Sequence, residues 1–240
     1  MKKILFVVIA FLSVSAATAQ KKKKKNFDDV MNRAGDHIML QVSSDHWMGA
    51  PDSINSRIKP LSRGGNIYVM LDKPFKGNPQ FSAAFGIGIS NSSIYFNSMS
   101  VDLHSLTTSL PFTNLDSSAH FKKYKLNTSF LEVPVELRYT LDPTKENKSI
   151  KLALGVKAGV LLNAHTNGKS PEDKNGTSIN SYIEKENAKR FVNSTRISAT
   201  ARIGYGHWSL FGSYQVNSIF KTGTAADMKL LQVGLTISGL

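Results

Sequence analysis

The feature that most constrains this chain is a two-residue alternation of apolar and polar side chains, repeated along most of its length. In residues 131–141 every odd position is apolar or aromatic, and every even position is polar or proline. Successive side chains of a β-strand point to opposite faces, so this pattern predicts strands with one apolar and one polar face. Strands are predicted in this way at 38–42, 67–71, 81–89, 131–141, 150–162, 197–205, 208–216 and 231–237.

Short and long connections alternate between these eight segments. The short links are 76–79, 142–148 and 206–207, and Gly206 suits the first central position of a type II′ hairpin turn. The long links are 47–62, 99–121, 166–189 and 218–227. Tight turns at one rim and long loops at the other are typical of up-and-down barrels. We therefore predict an all-β fold, an eight-stranded antiparallel up-and-down transmembrane β-barrel, over residues 36–240.

The direction of the apolar face distinguishes a membrane barrel from a soluble, lipocalin-like one. A soluble barrel turns the apolar face inward, whereas a membrane barrel turns it toward lipid. Here the polar face carries small residues, which suit the narrow lumen of eight strands, and charges of both signs, which must pair once they are buried. The simplest register places Glu132 opposite Lys157. A lumen ion-pair network is predicted from Asp72, Glu132, Glu136, Arg138, Lys151, Lys157, Arg196 and Arg202.

Aromatic residues on the apolar face lie near the tight-turn rim. Outer-membrane barrels carry an interfacial aromatic girdle at that level, which favours the membrane interpretation. The last strand lacks the terminal aromatic residue that many such barrels have. The predicted membrane-interface aromatics are Phe75, Phe81, Tyr139, Tyr205 and Trp208.

The first 19 residues predict a secretory signal peptide, cleaved before Gln20. A basic start is followed by an apolar run and a small-x-small site, and the run is shorter than the roughly 18 residues that a membrane helix needs. Residues 20–35 form a basic tail with lysines at 21–25, which is either solvated or in contact with phosphate-bearing lipid or glycan. Because much of the net charge of +13 lies in these first residues, we expect no nucleic-acid partner.

The residue types favour no enzyme and no cofactor. The absence of cysteine excludes a thiol nucleophile and a cysteine zinc site, and the six histidines have no metal-site spacing. Candidate serine, histidine and aspartate clusters occur at 44–46 and 102–105. A hydrolase needs its base within about 3 Å of the nucleophile and a third group to orient the base. Neighbouring residues of a strand point to opposite faces, so the first cluster cannot assemble from its own spacing alone.

Two segments support a family resemblance. Residues 130–139, with the sequence FLEVPVELRY, and residues 154–160, LGVKAGV, resemble the bacteroidete outer-membrane β-barrel proteins called PorT-like, which carry a similar YLEIPLLLKY strand. The likeness covers most of residues 36–240. It implies an outer-membrane location, and most members have no assigned function, although a few relatives take part in protein secretion or gliding machinery.

Together these patterns predict a non-enzymatic outer-membrane barrel, located there after signal-peptide cleavage. Eight strands leave an interior that side chains fill, so we expect no open channel. The long outer loops are expected to bind an envelope protein partner or to serve a structural role in the envelope or in secretion, and the barrel wall contacts outer-membrane lipid. Two alternatives stay open: a lipid-modifying barrel enzyme, and a soluble exported barrel that binds an apolar ligand.

Overall fold

A computed structural model describes residues 35–239 of the chain. The predicted signal peptide (1–19) and nearly all of the predicted basic tail (20–35) lie outside the described residues. Within them, no helix is both long enough and apolar enough to cross a membrane.

Eleven strands occur in this part of the chain, and eight of them form the barrel wall. The wall strands are β1 (Gly35–Met48), β2 (Arg63–Phe75), β3 (Asn78–Phe96), β6 (His120–Thr140), β7 (Ile150–Glu172), β9 (Thr195–Tyr205), β10 (Trp208–Gln215) and β11 (Lys229–Ser238). The others lie in the outer loops: β4 (Met99–Val101), β5 (Phe112–Asn114) and β8 (Ile183–Asn187). A short helix, α1 (Asp52–Asn55), and a 3-10 helix (Pro143–Lys148) complete the elements.

The eight wall strands close into a ring. Each pairs antiparallel with the wall strands next to it in the chain, and β1 closes the ring by pairing with β11, with Leu40 opposite Ile237. The structure confirms the predicted closed eight-stranded antiparallel barrel. The hairpin predicted at 206–207 also forms, and Gly206 has the positive φ of 61° that favours glycine there.

The apolar side chains of the wall face outward. Val133, Val135 and Leu137 are each about half exposed, at 47–50%, whereas Glu132 in the same strand is 1% exposed. This arrangement contradicts the soluble alternative, because a soluble barrel with an apolar ligand needs the apolar face inside.

The predicted pairing of Glu132 with Lys157 across β6 and β7 is wrong by two residues. Glu132 lies opposite Gly159, and Lys157 lies opposite Pro134. The reason is the turn between the two strands. The Leu141 N–H donates to the Ile150 carbonyl at 3.0 Å, which closes the connection around the 3-10 helix, and the register set there holds from Thr140 to Phe130, where a bulge shifts it.

Three wall strands continue well beyond the apolar band. The last outward apolar residues toward the outer rim are Ile89 on β3, Leu131 on β6 and Leu162 on β7, yet these strands extend to Phe96, His120 and Glu172. The short β8 pairs with the outer part of β7. Part of the long loop predicted at 166–189 is therefore strand, and the barrel has an extended outer wall on one side.

Candidate functional site

The middle of the lumen holds a charged cluster around Glu132. Arg196 on β9 contacts it at 2.6 Å from Nη2 to Oε1 and donates from Nε at 2.8 Å. Lys157 on β7 places Nζ 3.5 Å from the other carboxylate oxygen, to which the Tyr68 hydroxyl also donates at 2.5 Å. All three charged side chains are at most 4% exposed. Long side chains let Lys157 reach Glu132 diagonally, although the two residues are not opposite each other.

Glycines make room for this cluster. Glu132 has Gly88 as its cross-strand neighbour on β3 and Gly159 on β7. A Cβ at Gly159 would lie 2.8 Å from the Glu132 Cγ, and one at Gly88 would lie 2.4 Å from the Tyr68 ring. In a lumen this narrow, the small residues of the polar face leave the volume that the large charged side chains occupy.

A second ionic group lies nearer the tight-turn rim. Glu136 on β6 contacts Arg202 at 2.6 Å and Arg138 at 2.9 Å. Arg138 also approaches Asp72 at 3.7 Å. Lys151 lies opposite Thr140 and Gly204, close to the same rim. Seven of the eight predicted lumen residues, all but Lys151, thus lie in two groups, one around each glutamate.

Sequence reasoning did not place Asp45 on β1 in the lumen, where the structure has it. It is fully buried and accepts hydrogen bonds from Ser43, Ser92 and Gln232. The alternation along the strand could have placed it there, because Asp45 lies an even number of residues from the buried, polar Gln41 and therefore faces the same side of β1.

The outer mouth is closed by a hydrophobic cap that the sequence did not predict. Its buried core receives side chains from all four long outer loops, among them Ile54, Leu103, Phe191 and Phe220. Trp47, at the end of β1, lies at its centre. Its ring is 5.6 Å from that of Phe96, 6.5 Å from that of Phe112 and 5.5 Å from that of Phe220, each in edge-to-face geometry. The four loops therefore fold into one body that covers the lumen.

Polar contacts fasten this cap to the wall. Tyr124 on β6 donates from its hydroxyl to the Val101 carbonyl at 2.9 Å and accepts from the Val101 N–H at 3.1 Å. Burial raises the pKa of Tyr124, so the phenol stays neutral. Arg57 and Asp116 form a two-pronged ion pair between the first and second loops, and hydrogen bonds from Arg57 lower the pKa of Asp116.

Little space is left between the cap and the charged cluster. The cavity there is lined by Trp47, Ser92, Phe130 and Arg196, among others, and measures about 10 Å³. That volume is close to what one water molecule needs. At this level, between the cap and the charged cluster, side chains leave room for about one water molecule.

The predicted interface aromatics lie on the outer wall near the tight-turn rim. Phe75, Tyr205 and Trp208 are between 45% and 59% exposed. The rings of Phe81 and Tyr139 are 5.0 Å apart on neighbouring strands, and Tyr205 lies opposite Trp208.

The candidate nucleophile clusters are only partly assembled. The Ser44 Oγ lies 3.0 Å from the His46 Nε2 on the outer face of β1, while Asp45 between them points into the lumen. In the second cluster, the Asp102 carboxylate accepts from the His104 backbone N–H, and the Ser105 hydroxyl contacts Thr107. Those are local turn contacts. Within residues 35–239, no group of three or more His, Asp and Glu side chains is placed to hold a metal ion.

Comparison with known proteins gives one family match and several structural likenesses. The family described as outer membrane protein beta-barrel domain matches residues 16–221. No curated protein sequence matches the chain. Similar solved structures include Ail, the attachment invasion locus protein of Yersinia pestis, in complex with the heparin analogue sucrose octasulfate (12% identity, 86% of this chain and 100% of that chain, TM-score 0.36). Neisserial surface protein A is another (9% identity, 84% and 94%, TM-score 0.39). At these identities the likeness concerns the fold alone.

Proposed function

Since the chain belongs to the family of outer membrane protein beta-barrel domains, we propose that it is a non-conducting, non-enzymatic outer-membrane barrel whose loop cap binds another protein of the envelope. The observation that carries this proposal is the cap itself. Four loops that merely connected strands would be solvated, whereas here they bury a shared core and present one ordered surface.

Two layers across the barrel, the cap and the ionic cluster, support the non-conducting part of the proposal. A passage through the barrel would have to cross both the cap and the ionic layer around Glu132, whose members are at most 4% exposed. Purified protein in planar bilayers is expected to show no steady conductance. A stable open level of porin size would contradict the proposal.

The cap presents an apolar tip that suits protein binding. Leu106 is 90% exposed, and the backbone around it is held by Arg190, which donates to the carbonyls of Ser105 at 2.9 Å, Leu106 at 3.3 Å and Thr107 at 3.2 Å. A preorganised apolar side chain loses little conformational entropy on binding, which is the property of an interface anchor.

Substitution at this tip tests the binding role. Crosslinked complexes isolated from cells are compared for the wild type, Leu106→Glu and Leu61→Glu, the last being a control at another loop leucine that is 73% exposed. A discrete envelope protein should be recovered with the wild type and the control, and lost by at least tenfold with Leu106→Glu. Equal recovery with both variants, or no stoichiometric partner with the wild type, would refute the role of the cap.

One observation favours a second candidate, a lipid-modifying enzyme. The Ser44–His46 contact of 3.0 Å lies exposed on the outer wall, within reach of a lipid. Its outward cross-strand neighbours are Arg63, Val233 and Leu231, none of which can orient the imidazole as a carboxylate would. Mass spectrometry of membrane lipids from cells with and without the gene tests this candidate. An identical acyl composition in the two strains would exclude the lipid-modifying enzyme.

The proposal also includes membership of the PorT-like group and cleavage of a signal peptide. The strand at 130–139 supports membership of the PorT-like group, and the N-terminal pattern supports cleavage before Gln20. The mass of the mature protein, purified from the outer membrane, tests the cleavage: a protein that retains residues 1–19 would contradict it.

A further inference from the structure

The outer wall carries a group of basic side chains just beyond the apolar band. We call this group the cationic belt and define it as Arg63 on β2, Lys123 and Lys125 on β6, Lys169 on β7 and Lys185 on β8. These residues belong to neighbouring strands of one continuous sheet surface.

The belt faces outward, away from the cap core. Along β6 the inward side chains are Tyr124, Leu126 and Thr128, all buried, so Lys125 lies on the opposite face. On β8, Glu184 and Glu186 line the pocket on the inner side together with Tyr124, which leaves the alternate Lys185 on the outside.

The centre of the belt is ordered. Two cations lie over the Tyr95 ring, with the Arg63 guanidinium 5.9 Å and the Lys125 ammonium 5.6 Å from its centroid. Asn127 donates to Ser93 at 2.7 Å and is only 4% exposed, although it is on the outer face. The cations are thus mounted on a packed polar platform rather than on mobile loops.

Among the described residues, no belt cation forms an ion pair with a carboxylate, and the ion pair between β6 and β7 joins Lys122 to Glu172 at 3.2 Å instead. In the described chain, the outward residues that share this level on β3, β6, β7 and β8 are Asn, Ser, Tyr, His and Lys, together with the apolar Ile183 opposite Lys169. Lys123 and Lys169, both exposed, lie directly opposite each other, an arrangement that is destabilising unless an anion lies near them. Burial, and then the Lys185 and Lys125 charges, lower the pKa of His165, which lies beyond the apolar band.

The height of the belt matches a lipid headgroup. Ser93, whose hydroxyl lies 3.5 Å from the Lys125 Nζ, is four residues beyond Ile89 on β3. At about 3.3 Å per residue and a strand tilt of about 40°, this places the ammonium roughly 10 Å above the last apolar residue. Lipid phosphates occupy that zone, and a basic surface at this level attracts them.

We propose that the cationic belt binds the phosphate groups of a phosphorylated glycolipid in the outer leaflet, of the lipid A type. The belt anchors and orients the barrel in that leaflet. This binding is separate from the protein-binding role of the cap, because it uses the outer wall and not the loop tips.

Neutralising the belt tests the proposal. The variant combines Arg63→Gln, Lys125→Gln and Lys185→Gln. The matched control, Lys174→Gln, Lys189→Gln and Lys221→Gln, removes the same charge from exposed positions in the outer loops. Full-length protein in detergent is titrated with bisphosphorylated lipid A, with its dephosphorylated form, with phosphatidylglycerol and with inorganic phosphate, and the bound lipid is counted by native mass spectrometry.

The wild type and the loop control should bind bisphosphorylated lipid A alike and more tightly than the other three probes. A surface cation contributes roughly fivefold to binding of an anionic headgroup, so the belt variant should lose on the order of 100-fold. Equal binding by the belt variant, an equal loss in the control, or equal affinity for phosphatidylglycerol or free phosphate would overturn the proposal.

A footprint on the wild-type protein gives a result even if the belt variant does not fold. Lysine labelling in the presence of bisphosphorylated lipid A should be slowed at Lys125 and Lys185 relative to Lys174. Equal labelling with and without the lipid would refute the site without any substitution.

Discussion

Removal of the carboxylate at Glu132 should be one of the most destabilising charge changes in the barrel. Glu132→Gln leaves Arg196, 2% exposed, and Lys157, 4% exposed, as two buried cations without their counter-ion. Removing one partner of a buried ion pair costs about 3–5 kcal/mol, because an uncompensated charge stays in a medium that cannot solvate it. At about 1.4 kcal/mol per factor of ten, the unfolding equilibrium constant should rise by roughly two to three and a half orders of magnitude.

Asp72→Asn is the matched control, since it makes the same chemical change in the same lumen. Asp72 is 23% exposed and contacts Arg138 at 3.7 Å, so its loss should cost about 1 kcal/mol or less. Urea unfolding in phospholipid vesicles, followed by fluorescence and by gel mobility, measures both free energies. Adding Lys157→Met to Glu132→Gln should recover part of the loss. Equal destabilisation by the two single variants would refute the reasoning.

Three further outcomes are expected. Gly88→Ala places a methyl group 2.1 Å from the Ile67 carbonyl oxygen and should lower the fraction of folded, heat-modifiable protein on gels. Gly212→Ala, whose methyl group meets open space, should leave that fraction unchanged. Equal folding of the two variants would contradict this account of the packing. Brominated lipids should quench Trp208 on the wall but spare the other tryptophan, which is buried in the cap; uniform quenching would argue against the lipid-facing wall. Hydrogen bonds from Arg57 lower the pKa of Asp116, so the Arg57–Asp116 ion pair should be fully formed above the ordinary carboxyl range and lost as the pH falls through the lowered pKa. An NMR titration that gives Asp116 an ordinary pKa would contradict this.

Several features of the wall were open to prediction because they depend on parity alone. Alternation assigned the faces of all eight strands, and it separated Glu132, inside, from Val133, outside. The same parity would have found Asp45 in the lumen and Lys125 on the outer wall.

The cap was not open to prediction in this way. Its aromatic residues, such as Phe112, Phe191 and Phe220, are scattered through loops with no periodicity. In the sequence, each of them looks like one of the isolated hydrophobic residues that are common in exposed loops. The four loops meet only because the closed barrel brings all of them to one rim. The short elements β4, β5, β8 and α1 follow from that meeting and not from local pattern.

By itself the sequence determined the number of wall strands, their faces and the rim at which each connection lies, because alternation and connection length are local properties. The tertiary structure decided which lumen charges meet and what closes the mouth. Register depends on how each turn closes and on the tilt of the whole ring. For this reason Glu132 lies opposite Gly159, and Lys157 reaches Glu132 diagonally. Burial of loop side chains likewise depends on groups far apart in the chain, which only ring closure brings into contact.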